Sequence, residues 1–147
     1  MPKCYNLDVG LVLSLSPKLK NMSIADVGAG LGCYTNFFRH NNVNVADSFD
    51  FAVDIDKKTL GNVKRWDATV PYQFANRPDW IFSIEVAEHV PPEGTNGLMK
   101  NLINARCGTI LSWARRGQPG RGHINCKDKD EVIELFASYN FKRTMIR

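Results

Sequence analysis

Short apolar runs alternate along the chain with stretches of helical period. Ser23-Ile-Ala-Asp-Val27 reads as a first strand, and the glycine turn Gly28-Ala-Gly-Leu-Gly32 follows it. Residues 34 to 39 carry a helical pattern around Phe37 and Phe38. A second strand is expected at Phe51-Ala-Val-Asp-Ile55, a weaker third at 62–66, and a fourth at Trp80-Ile-Phe-Ser-Ile84. Leu98, Met99, Leu102 and Ile103 share one face of a helix over 95–105, and Thr109-Ile-Leu-Ser-Trp113 reads as a fifth strand. The last helix has the clearest start. Asp128 can cap it, Glu131 stands three residues on, and Val132, Ile133, Leu135 and Phe136 form its apolar stripe. Asn140 can end it, and 141–146 could add a final strand. Strands alternating with helices predict an α/β fold, doubly wound around a mostly parallel, Rossmann-like sheet.

The chain has 147 residues, which is one domain by length, and residues 1–147 read as that domain. With 44% hydrophobic and 23% charged residues, disorder and low complexity are excluded. No apolar run reaches the ~18 residues that cross a bilayer. The segment Val9-Gly-Leu-Val-Leu-Ser-Leu15 is short for a secretory signal and reads as an N-terminal helix. Cys4, Cys33, Cys107 and Cys126 form no Cys-x-x-Cys pair, so a structural zinc site is not expected. Reduced thiols and a cytoplasmic location are the simplest expectation. A net charge of +4 permits an anionic partner such as RNA without demanding one.

Asp26-Val-Gly-Ala-Gly-Leu-Gly32 is the first segment that carries chemistry. Glycines let a backbone turn sharply and approach a ligand. The spacing is Gly-x-Gly-x-Gly rather than the dinucleotide Gly-x-Gly-x-x-Gly, and residue 33 is Cys. An acid two residues before the first glycine suits a cationic ligand better than a pyrophosphate. S-adenosylmethionine, with its sulfonium and ammonium groups, is such a ligand. Asp54 is expected to close the second strand, where an acid can accept ribose hydroxyls; Asp56 is the less favoured choice. Asp67, after the third strand, is either an adenine contact or a turn cap.

These segments, with Asp79-Trp-Ile-Phe-Ser-Ile-Glu-Val-Ala-Glu-His-Val90, resemble the class I S-adenosylmethionine-dependent methyltransferases in kind and order, over about 24–113. The resemblance implies that Asp26, Gly28 and Gly30 meet the methionine part of the cofactor, with Gly32 of the same turn also a cofactor-binding residue. It implies that Asp54 meets the ribose, that the adjacent Ile55 is also cofactor-binding, that Asp67 meets the adenine, and that Ser83 to Glu85 face the methyl group. A Gly-x-Gly-x-x-Gly oxidoreductase is disfavoured by the same residues.

Within Glu85-Val-Ala-Glu-His89, a helix or tight turn starting at Glu85 would set Glu85, Glu88 and His89 on one face. Two carboxylates and an imidazole make a divalent-metal site such as one for magnesium, with His123 as the further ligand and Asn125 or Gln118 behind it. The alternative is that Glu88 and His89 only cap a turn. The pattern is similar to that of small-RNA 3′-terminal 2′-O-methyltransferases and of ubiquinone-biosynthesis O-methyltransferases. The catalytic candidates are His123, His89 and Glu85, with a histidine as base if no metal binds. Arg115-Arg-Gly-Gln-Pro-Gly-Arg121 is either a lid for an anionic substrate or a solvated loop.

No Asn/Asp-Pro-Pro-aromatic motif follows the fourth strand, and Pro91-Pro92 falls too late for one. No Pro-Cys pair marks a cytosine C5 nucleophile either. The acceptor is thus expected to be an oxygen of a small molecule or an RNA ribose. Few residues flank the recognised segments, so a second copy or an activating partner could complete the site. The alternative function is a non-catalytic domain of the same fold that binds the cofactor or acts as a scaffold.

Overall fold

The computed structural model describes Cys4 and residues 7–141. Five strands form one sheet in the order β3-β2-β1-β4-β5, and every pairing is parallel. They are β1 (Ser23–Val27), β2 (Asn44–Asp50), β3 (Lys64–Arg65), β4 (Trp80–Ser83) and β5 (Gly108–Leu111). The helices are α1 (Val9–Leu15), α2 (Cys33–His40), α3 (Ile55–Lys58), α4 (Thr95–Leu102) and α5 (Lys129–Ser138). Among the described residues no helix is long and apolar enough to cross a membrane.

Side chains alternate across a strand, so β1 feeds two cores. Ala25 and Val27 face one side, with Phe49, Ile81 and the α4 residues Leu98, Met99 and Leu102. Ile24 faces the other, with Val12 and Leu15 of α1, Phe38 of α2 and Phe82 of β4. There the Phe38 and Phe82 rings meet edge-on, 5.0 Å between centroids. Both faces are therefore covered, as in doubly wound sheets.

The second strand departs from the sequence expectation. It runs Asn44–Asp50, and the segment expected to be a strand is a turn leading into α3. The Asp50 Oδ1 accepts the Ala52 N–H at 2.8 Å, which bends the chain out of the sheet. Phe51 and Val53 then lie exposed at 64% and 63%, whereas Val45 and Phe49 are buried. The third strand is two residues long, and the helix expected over 95–105 stops at Leu102. At α5 the expected capping box is present, and Asn140 (φ 59°) makes the left-handed exit. The final strand expected over 141–146 lies, beyond Phe141, outside the described residues.

The thiols also differ from expectation. Cys4 and Cys33 are joined in a disulfide with their Cα atoms 5.9 Å apart, while Cys107 and Cys126 are free. The sequence separation of 29 hid this pair, because only the fold brings residue 4 against the first turn of α2.

Candidate functional site

The strand order changes direction between β1 and β4, which is where open α/β sheets bind ligands. At that point β1 runs into the glycine turn. Gly28 (φ 82°) and Gly32 (φ 77°) take left-handed conformations that a side chain would strain. A Cβ on Gly28 would also lie 2.1 Å from the Val86 Cγ2. The Gly28 and Ala29 N–H groups both donate to the Phe49 carbonyl at 2.8 Å. The Gly30 N–H donates to the Asp50 Oδ2 at 2.8 Å. The end of β2 thus fastens the turn.

A cavity of about 620 Å³ opens beside the turn, across the carboxyl ends of β1 to β4. Its size is that of a small-molecule site. Gly28, Asp50, Phe51, Trp66, Asp67 and Glu85 contribute to its walls. Four acids around it, Asp50, Asp67, Glu85 and Glu93, favour a ligand with cationic and hydroxyl groups.

The acid that closes β2 in the cavity is Asp50, not Asp54. Asp54 is exposed, has φ 57°, sits at the cap of α3 and pairs with the Lys57 Nζ at 3.0 Å. Ile55 is buried with Ala29 and Val63, away from the cavity wall. Apolar Val53 and Ile55 make Asp54 look like a strand residue, whereas the real strand is disguised by the polar Asp47 and Ser48. Asp67 does line the cavity, and its Oδ1 also accepts the N–H and hydroxyl of Thr69 at 2.9 and 2.7 Å. Asn101, which sequence reasoning passed over as a helix residue, holds this wall. Its amide donates to the Ala68 and Val70 carbonyls at 2.7 and 2.9 Å and accepts the Tyr72 N–H at 3.0 Å.

Asp26 and Ser83 are buried and lie outside the cavity wall. Asp26 belongs to the β1 face that α2 covers. Its Oδ2 accepts the Thr35 hydroxyl at 2.6 Å, and Thr35 pairs with the Ser48 hydroxyl at 2.7 Å. Burial pushes its pKa up to about 7; the Thr35 hydrogen bonds and the Arg39 charge pull the other way.

The acidic segment after β4 does not form the expected helical face. Glu85 takes a left-handed φ of 59°, and the helical turn begins only at Ala87, a 3-10 turn over Ala87–His89. Glu85 is exposed at the cavity wall, with its Oε1 accepting the Ser112 hydroxyl at 2.8 Å. A strained non-glycine backbone there marks a site the surrounding structure holds in place. Glu88, His89 and His123 do converge: each offers a ligand atom, and these lie within 4.8 Å of one another. Glu85 stands outside that group, which corrects the four-ligand expectation.

Glu88 is fully buried, and neither carboxylate oxygen has a hydrogen-bond partner. Burial raises its pKa, the Glu85 charge adds to this, and His89 and His123 oppose it. The histidines are oriented from behind. The His89 Nδ1 lies 3.0 Å from the Gly122 carbonyl, and the His123 Nδ1 lies 3.2 Å from the Gln118 carbonyl. A carbonyl only accepts, so each Nδ1 carries a proton, and in the neutral ring the Nε2 lone pair is left for a ligand. The turn and the loop are sewn together, since the Ile124 and Asn125 N–H groups both donate to the Glu88 carbonyl, at 2.9 and 3.0 Å. Gln118 and Asn125 therefore act from outside the cluster; the Asn125 side-chain amide donates to the Thr95 hydroxyl at 2.9 Å.

The cluster stands between two hollows. His89 lines the main cavity, and His123 lines a second one of about 470 Å³ with Arg116 and Lys127. Of the loop arginines, Arg116 is committed to Glu131 through two hydrogen bonds, while Arg115 and Arg121 are exposed.

No known protein-family profile matches the sequence, and no curated protein matches it. Solved structures do match in fold. Magnesium protoporphyrin IX methyltransferase from Synechocystis PCC 6803, with bound SAH, has a TM-score of 0.73 at 16% identity, over 92% of this chain and 72% of that one. A 1,6-didemethyltoxoflavin-N1-methyltransferase from Burkholderia thailandensis, with bound S-adenosylhomocysteine, gives 0.65 at 18%, over 95% and 71%. The methyltransferase domain of bacterial CtHen1-C gives 0.61 at 13%, over 90% and 81%. The chain thus has the Rossmann-like class I methyltransferase fold.

Proposed function

We propose that this chain is an S-adenosylmethionine-dependent methyltransferase whose acceptor is a hydroxyl oxygen held at the Glu88–His89–His123 cluster. The acceptor is an RNA ribose or a small hydroxylated molecule. The observation that carries this reading is the buried, unpartnered Glu88 carboxylate beside two imidazoles, of which His89 lines the main cavity and His123 the neighbouring hollow. The matching folds come from enzymes named for unlike substrates, so the fold does not choose the acceptor.

The residues fit both groups. For the cofactor, the Gly28 turn provides close backbone approach, and Asp50 and Asp67 provide hydrogen-bond acceptors. When bound, S-adenosylmethionine supplies a methyl group on a sulfonium, which leaves as a neutral thioether. A divalent ion would be held by Glu88, His89 and His123, whose one carboxylate and two imidazoles suit manganese or iron better than magnesium. An ion held by these residues would supply positive charge that eases loss of the acceptor hydroxyl's proton. The chain's own task is alignment, because the leaving group is already good. In this reading Glu85, exposed at the cavity wall, takes the hydroxyl proton.

The test is transfer of labelled methyl groups to a short RNA with a free 3′ ribose and to a catechol. Each is run with magnesium, with manganese and with EDTA. Metal-dependent transfer to one acceptor class, lost in Glu88→Gln and His123→Ala, is expected. Full transfer in EDTA would remove the metal from the proposal. Cofactor binding without transfer to either acceptor would favour the non-catalytic alternative.

A further inference from the structure

The loop that carries His123 is built around missing side chains. The His123 N–H donates to the Gly120 carbonyl at 3.4 Å, closing a turn with Gly122 in the left-handed region at φ 77°. That turn folds the imidazole back onto Gly120. A Cβ on Gly120 would meet the ring at 2.2 Å from Cε1, 2.2 Å from Nε2 and 2.5 Å from Cδ2. No relaxation of a few tenths of an ångström absorbs contacts that short. Gly120 itself has an ordinary backbone conformation and is exposed, so alanine is tolerated there by the main chain. The part that must move is the ring. Gly122 backs the other histidine: its carbonyl is 3.0 Å from the His89 Nδ1.

We infer that Gly120 is a positioning residue, whose lack of a side chain seats the His123 ring beside Glu88 and His89. A methyl group there rotates the ring out of the cluster while the fold stays intact. The inference extends the proposed ion site in its second readout and stands apart from it in its first.

The first readout is the imidazole spectrum of the metal-free protein. The chain has 3 histidines, so single substitutions assign the cross peaks. In the wild type, a ring-to-ring nuclear Overhauser contact is expected between His89 and His123, whose centroids are 5.1 Å apart. In Gly120→Ala that contact should vanish and the His123 peak should move, with an unchanged melting temperature. The second readout is manganese or cobalt titration. Gly120→Ala should weaken binding about 10–100-fold. In a His123→Ala background the same change should add nothing, since the residue it acts through is gone. An unmoved His123 peak with the ring contact retained overturns the inference. A moved peak in a chain that binds neither ion upholds the positioning role and removes the ion site.

Discussion

Asp26→Asn tests how the fold treats its one deeply buried carboxyl on β1. The group has a pKa of about 7 against an ordinary 3.8. Burial is the main cause, and the Asp50 charge adds to it. A shift of about 3 units at 1.36 kcal/mol each corresponds to about 4 kcal/mol. The sign follows from proton counting. Between pH 4 and 7 the native state holds a proton on Asp26 that the unfolded chain has lost. Stability from this group is therefore present at low pH and falls as pH rises toward 7. The asparagine side chain cannot ionise and keeps an oxygen for the Thr35 hydroxyl. Urea unfolding followed by circular dichroism, at steps from pH 4.5 to 8, gives the comparison. The wild type should lose about 3 kcal/mol more than the variant over that range, the rest of the effect lying below pH 4.5. Glu88 contributes a loss of the same sign in both proteins and cancels. Parallel curves for the two chains would refute the reasoning.

Glu88→Gln replaces a buried carboxyl that has no hydrogen-bond partner and whose charged form burial disfavours, so at pH 8 the metal-free variant should be no less stable than the wild type, while manganese binding is lost; calorimetry reads both. Reducing the Cys4–Cys33 bridge, or Cys33→Ser, should cost roughly 3–4 kcal/mol by loop entropy for a separation of 29, seen as a lower urea midpoint. An unchanged midpoint in dithiothreitol would show that the bridge does not form.

The strand cores and caps were legible because each is local. Asp128 and Glu131 announce α5 by their spacing, and the apolar runs at 23–27 and 80–83 announce the central strands. The second strand was misplaced because its polar residues, the buried Ser48 and the half-buried Asp50, find partners only in the fold: Thr35 for one, the Gly30 and Ala52 amides for the other. Binary patterning cannot see such pairing. The same limit hid Asp50 from the site and placed Glu85 in it as a ligand. Periodicity assumed a helix at residue 85, whereas a left-handed residue turns the chain there. His123 was found because the loop after a strand returns to the carboxyl edge of a parallel sheet, which topology alone implies.

The most direct measurement of the central claim is a calorimetric titration of the purified chain with S-adenosylhomocysteine. The cavity beside the glycine turn should bind it at micromolar concentrations. Asp50→Ala should weaken binding by at least about tenfold, or about 1.4 kcal/mol, and Asp54→Ala should leave it nearly unchanged. No binding, or a loss on Asp54→Ala with none on Asp50→Ala, would contradict the account.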